Sequence, residues 1–196
     1  MNHKTSPLNG SFGIMIEGVT RGDLLDPAFQ REAFDLRTKH GGLLAVRGPD
    51  LADTSPEELL TWSEVFGAVE HDGMTAREDK MVQGFPILRI GNIRDEAGNL
   101  KASLARVPQL RTDDDMRYNP ETRPVWHTDS TFRRHPPIGS VFHCKQAPDA
   151  GGETLFADMR TAYMRLDGAT KAKLDGLEAV CSLAHHDKKI NTYSPD

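Results

Sequence analysis

The chain is poor in cysteine, in aromatic residues and in long apolar runs. Its 196 residues include two cysteines, Cys144 and Cys181, far apart in sequence. That excludes a disulfide framework and a thiolate zinc site, and it suits a reducing, cytoplasmic setting. No apolar stretch approaches the roughly 20 residues of a membrane helix. The opening residues, Met1 to Pro7, lack the apolar segment of a secretory signal. Basic charge is not in excess either: 24 lysines and arginines stand against 29 aspartates and glutamates, a net charge of -5. A nucleic-acid partner therefore has no electrostatic footprint. Repeats, low-complexity runs and obvious linkers are missing as well.

What is present suits a soluble globular chain. Hydrophobic residues make up 37% and charged residues 27%, enough to bury a core without disulfides. The length fits one domain, residues 1–196. Alternating Phe12, Ile14 and Ile16 predict a strand over 12–19. Ala28, Phe29, Ala33, Phe34 and Leu36 predict a helix over 27–40, with Gly41 free to take the left-handed turn after it. Leu43 to Val46 reads as a short strand. A second helix is signed at its start by Ser55 as cap, Pro56 at the first helical position and Glu58 completing a capping box. Its apolar stripe is Leu59, Leu60, Trp62, Val65 and Phe66, and Gly67 ends it.

Further strands are expected at 87–90, 125–131, 138–144, 153–156 and 177–184. A helix is expected to start after Asp158, turning Met159, Ala162, Tyr163 and Leu166 inward. Another is expected to be capped by Thr170. Helices early and strands late imply an α+β chain with a largely antiparallel sheet or barrel. The polar stretch 105–123 contains Asp113, Asp114 and Asp115, which read as a solvated loop, because a hard-cation loop needs further oxygen ligands at set spacing.

The chemistry concentrates at His127-Thr128-Asp129. On a strand, residues i and i+2 share a face, so His127 and Asp129 present an imidazole nitrogen and a carboxylate side by side. Such a pair makes up two of the three ligands in the two-histidine, one-carboxylate arrangement that holds Fe(II). A surface histidine beside a solvated carboxylate is the plain alternative. A second feature is Gly151-Gly152-Glu153-Thr154, a tight turn leading into a short strand. Thr154 there is also an ordinary β-branched strand residue.

In combination these segments resemble the taurine / 2,4-dichlorophenoxyacetate type (TauD/TfdA) of Fe(II)- and 2-oxoglutarate-dependent dioxygenases. The resemblance rests on Trp126-His127-Thr128-Asp129-Ser130-Thr131-Phe132 and on Gly151, Gly152, Thr154, Phe156 and Asp158. Phe12-Gly13, Gly18-Val19, Gly41 to Leu44, Arg47-Gly48 and Phe66-Gly67 fall in the family's order, so it extends over essentially the whole chain. It implies a double-stranded β-helix (a cupin-like jelly roll) with flanking helices. His127 and Asp129 would be iron ligands, and Thr154 would offer its hydroxyl to a carboxylate of 2-oxoglutarate. The implied reaction uses Fe(II), 2-oxoglutarate and dioxygen to hydroxylate a small, anionic organic molecule, with release of succinate and carbon dioxide.

The resemblance also implies a second ligand histidine and a basic residue for 2-oxoglutarate from a later segment. Neither has a counterpart here, since His185 and His186 do not match that position. The expectation is an N-terminal portion of a longer protein with C-terminal strands missing. Its exposed sheet edges would then favour a homo-oligomer or poor solubility. The alternative is a catalytically incomplete jelly-roll fragment acting as a binding module. Other polar residues take plainer readings. His71 and His135 read as loop histidines, Asn92 as a turn residue and Arg133-Arg134 as a solvated basic pair. His143 reads as a satisfied sheet residue, Trp126 as packing beside the metal site, and Cys144 and Cys181 as small core residues.

Overall fold

A computed structural model of the chain describes residues 3–9, 12–70, 81–90, 127–147, 149 and 154–182. These fall in two compact units, one within Met1–Val125 and Val141–Asp158, the other within Trp126–Ser140 and Met159–Asp196. Each unit is taken by itself below.

The first unit is built on a three-stranded sheet in the order β1 (Lys4–Asn9), β2 (Phe12–Glu17), β3 (Leu44–Arg47). β1 pairs antiparallel with β2, setting Thr5 opposite Ile16 and Pro7 opposite Ile14. β3 pairs parallel with β2, setting Ile14 opposite Leu44 and Ile16 opposite Val46. Two parallel strands need a long crossover. Here it contains α1 (Arg21–Leu25) and α2 (Pro27–Lys39). β1 has no signal in the apolar pattern, because Lys4-Thr5-Ser6-Pro7 is polar. Its proline is tolerated since β1 lies at the sheet edge, where one side of the strand needs no ladder bond.

The helix ends follow local chemistry. Asp26 caps α2 by accepting from the Ala28 N–H at 2.7 Å, and Pro27 takes the first helical position. The helix stops at His40, and Gly41 and Gly42 follow with φ of 86° and 91°. α3 (Pro56–Glu64) has the capping box expected from its sequence: the Glu58 N–H donates to Ser55 Oγ, and the Ser55 N–H donates to Glu58 Oε2 at 2.7 Å. Glu58 also receives a forked bond from the Arg21 guanidinium at 2.8–3.0 Å, which ties α1 to α3. The Ser55 backbone N–H, ahead of Arg21, holds the Glu58 carboxyl below its usual range. Residues 51–53 form a single 3-10 turn.

These elements enclose one apolar core of Ile16, Val19, Leu24, Phe29, Ala33 and Trp62, with Leu36, Leu44, Val46, Leu59 and Phe66 packed against it. The Phe29 and Trp62 rings stack at 5.8 Å, and Trp62 meets Phe66 edge-on at 5.1 Å. The Arg37 guanidinium lies 5.6 Å over the Phe66 ring. Where β3 leaves the sheet, Gly48 runs against Val19. A Cβ at that position would sit 1.5 Å from the Val19 carbonyl oxygen, so only glycine fits.

Among the described residues two polar groups are buried, Thr54 and Asp23. Asp23 is buried in the capping box of α1, where its Oδ2 accepts from the Thr20 hydroxyl at 2.7 Å and the Thr20 N–H at 2.8 Å. The nearly buried His3 brings Nε2 to 3.4 Å from the same oxygen and packs its ring 4.8 Å from Phe29. His3 Nδ1 is buried without a hydrogen bond.

Later in the chain the order of elements departs from the sequence expectation. The described residues of 127–131, 138–144, 154–156 and 177–182 form no strand, and 87–90 contributes only an isolated bridge, Met81 to Leu88. Among the described residues the helices there are two short ones, α4 (Met159–Met164) and α5 (Gly168–Leu174). A strand needs a neighbour to take its hydrogen bonds. These segments have β-favouring side chains but no ladder partner among the described residues, and propensity alone does not make a strand.

Three smaller corrections follow in the same stretch. α4 leaves Met159 and Tyr163 exposed instead of inward. Cys144 and Cys181 are exposed instead of core residues. α5 is capped by Asp167, which accepts from the Thr170 N–H and hydroxyl at 2.8 Å, so Thr170 is the donor and not the cap. Those bonds, the backbone one first, lower the Asp167 carboxyl. Among the described residues no helix is long and apolar enough to cross a membrane.

Candidate functional site

His127, Thr128 and Asp129 open a loop that turns sharply at Ser130. Ser130 has φ of 58°, the left-handed region, and its carbonyl accepts from the Arg133 N–H at 3.0 Å. This turn stands where the sequence pattern predicts a strand. The signal for it was available: Thr128-Asp129-Ser130-Thr131 is a run of residues whose side chains favour turns.

The expected pairing survives the change of backbone. His127 Nε2 lies 3.1 Å from Asp129 Oδ1. The side chains are 69% and 64% exposed, so as an ion pair they contribute little to stability. As donors they are accessible. Two adjacent ligands at about 2.1 Å from an octahedral metal lie about 3 Å from one another. A nitrogen and an oxygen 3.1 Å apart suit that arrangement. Among the described residues no group of three or more histidine, cysteine, aspartate or glutamate side chains is gathered for a metal.

Thr154 lies in an exposed, non-helical stretch ahead of α4. It falls in the unit containing the sheet, whereas His127 and Asp129 fall in the other. The glycine pair before it, with Trp126, His71, Asn92, Asp113 to Asp115, His185 and His186, lies outside the described residues. His143 is satisfied, as expected, but not on a strand: its Nε2 is 2.7 Å from the Leu51 carbonyl oxygen. His135 and Arg134 are exposed in the loop after Ser130.

Residues 4–195 match the family described as Taurine catabolism dioxygenase TauD, TfdA family. The chain belongs to this family. Members of the TauD/TfdA family use Fe(II), with 2-oxoglutarate as co-substrate. One relative is the (S)-phenoxypropionate/alpha-ketoglutarate-dioxygenase of Sphingobium herbicidovorans, 30% identical over 94% of this chain and 55% of the relative. Another is the alpha-ketoglutarate-dependent 2,4-dichlorophenoxyacetate dioxygenase of Cupriavidus pinatubonensis, 38% identical over 91% of this chain and 58% of the relative. A third is the alpha-ketoglutarate-dependent sulfonate dioxygenase of Saccharomyces cerevisiae, 28% identical over 91% of this chain and 39% of the relative. The chain spans about half the length of these curated relatives. No solved structure matches it at a significant level.

Proposed function

We propose that this TauD/TfdA chain serves an Fe(II)- and 2-oxoglutarate-dependent dioxygenase that hydroxylates a small, anionic organic substrate. The family match along 4–195 supports the reaction class. The relatives are named for a phenoxypropionate, a dichlorophenoxyacetate and a sulfonate, each a small molecule with one acidic group. The observation that carries the reading is the open His127–Asp129 donor pair at 3.1 Å.

His127 would hold the metal through the Nε2 lone pair. That nitrogen now faces Asp129, so metal and carboxylate compete for it. Asp129 would supply one negative charge, which leaves a divalent ion positive enough to attract the 2-oxoglutarate dianion. The Thr154 hydroxyl would donate to a carboxylate of 2-oxoglutarate. When bound, iron and 2-oxoglutarate supply the oxidation, giving succinate, carbon dioxide and hydroxylated substrate. The same reading takes the domain as a double-stranded β-helix. It places the protein in the cytoplasm, in keeping with its two free cysteines. It also takes the protein as a homo-oligomer, in keeping with exposed Met159, Met164 and Val180.

The test is succinate formation from 2-oxoglutarate with Fe(II), using protein expressed from its complete reading frame. Asp129→Ala is expected to abolish it. Retained succinate production in that variant would sink the assignment.

A further inference from the structure

We infer that the outward face of α2 pairs with the same face of a second copy of this chain, Arg31 of each copy meeting Asp35 of the other beside the exposed Phe34. This rests on the reading of the protein as a homo-oligomer, to which it gives a surface and a geometry.

α2 turns Phe29 and Ala33 into the core. On its other side Pro27, Arg31, Phe34 and Asp35 recur at helical spacing and share a face. With Gln30 and Val65 they line an open groove of about 300 Å³. That volume is at the bottom of the range for a small-molecule pocket, so the groove suits an inserted side chain. Phe34 is 41% exposed. Arg31 and Asp35 are exposed too, and neither has an ion-pair partner among the described residues.

The charges decide the occupant. Residues 31 and 35 are one turn apart and opposite in sign. A two-fold axis that pairs two such helices antiparallel exchanges these positions, so each copy contributes both halves of two ion pairs. The same axis, level with residue 33, leaves the two Phe34 side chains about 3 Å apart along the helix. The face is therefore complementary to itself, whereas a partner of one charge sign would meet a like charge. Two 13-residue helices bury less than the roughly 800 Å² per partner of a stable complex, so the association should be weak, at about micromolar concentration.

The experiment is sedimentation velocity on protein expressed from its complete reading frame, from about 1 to about 200 μM. It compares wild type, Arg31→Glu, Asp35→Lys and an equimolar mixture of the two variants. Wild type is expected to self-associate. Each variant alone sets like charges across the axis and should associate about tenfold more weakly or worse. The mixture restores opposite charges at both contacts and should regain wild-type association, which no effect within one copy can produce. Wild-type association in either variant alone would place the interface elsewhere and overturn the inference, leaving the homo-oligomer reading intact. A mixture no better than the single variants would also overturn it. A wild type that stays monomeric throughout would sink the homo-oligomer reading, and the inference with it.

Discussion

The stretch from β1 to α3 and the stretch from His127 to Ser182 solve opposite problems. In the first, Ile16, Val19, Ala33 and Trp62 are buried, and caps and a forked ion pair take up most of the polar groups around them, His3 Nδ1 excepted. In the second, Met159, Met164, Leu177 and Val180 are largely exposed, and the residues with candidate chemistry stand in solvent. One stretch is held by burial and tolerates few changes. The other keeps its geometry through turns, helix caps and hydrogen bonds, one of them between His143 and the distant Leu51 carbonyl. The comparison teaches that stability and chemistry are assigned to different residues here, so substitutions should separate them.

The sharpest way to break that contrast is at Trp62. It stacks on Phe29, meets Phe66 edge-on and is 5% exposed. Trp62→Ala is expected to cost about 4 kcal/mol of unfolding free energy, from lost burial plus the cavity left behind. Urea denaturation measures it. A loss below about 1 kcal/mol would show that the core is not centred on this ring.

Asp23 gives a smaller, pH-dependent effect. Its carboxyl is lowered first by the Thr20 hydroxyl and then by the Thr20 backbone N–H. Burial opposes the shift, and His3 adds to it. A carboxylate depressed in the folded state stabilises above its unfolded value of about 4. That contribution is lost as pH falls through the folded value. Asp23→Asn should cost about 1–2 kcal/mol near neutral pH, the range of a lost cap. The gap to wild type should narrow below about pH 4. A gap independent of pH between 3 and 7 would remove the carboxylate from the account.

These two sites also show what was legible in the sequence. α2 and α3 were, because capping is local: Ser55, Pro56 and Glu58 sit within one turn, and Gly41 follows the cap of α2; α1 was missed, although Thr20 and Asp23 form a capping box there as well. The expected pairing of His127 with Asp129 was legible too, though its backbone was not. A strand depends on a partner elsewhere in the chain, and 127–131 has none among the described residues. The turn residues Asp129 and Ser130 then decide the backbone locally. β1 was missed for the converse reason. Its polar residues carry no alternation, and only pairing with the apolar β2 makes them a strand. The His3 contact with Asp23 spans twenty positions and has no local signal at all.

The smallest expected effect on stability belongs to the residues expected to matter most for chemistry. His127 and Asp129 pair in solvent. A surface ion pair contributes roughly 0–1 kcal/mol, and substitution away from buried features moves stability by about 0.5 kcal/mol or less. His127→Ala and Asp129→Ala should therefore unfold in urea within about 0.5 kcal/mol of wild type, while both lose Co(II) affinity. Asp129→Ala should be at least as stable as His127→Ala, because removing one of 29 acidic residues eases a net charge of -5. If either variant instead destabilised the fold by 2 kcal/mol or more, the pair would be a structural contact. The division between a stretch that folds and a stretch that binds would then fail at the residues chosen to define it.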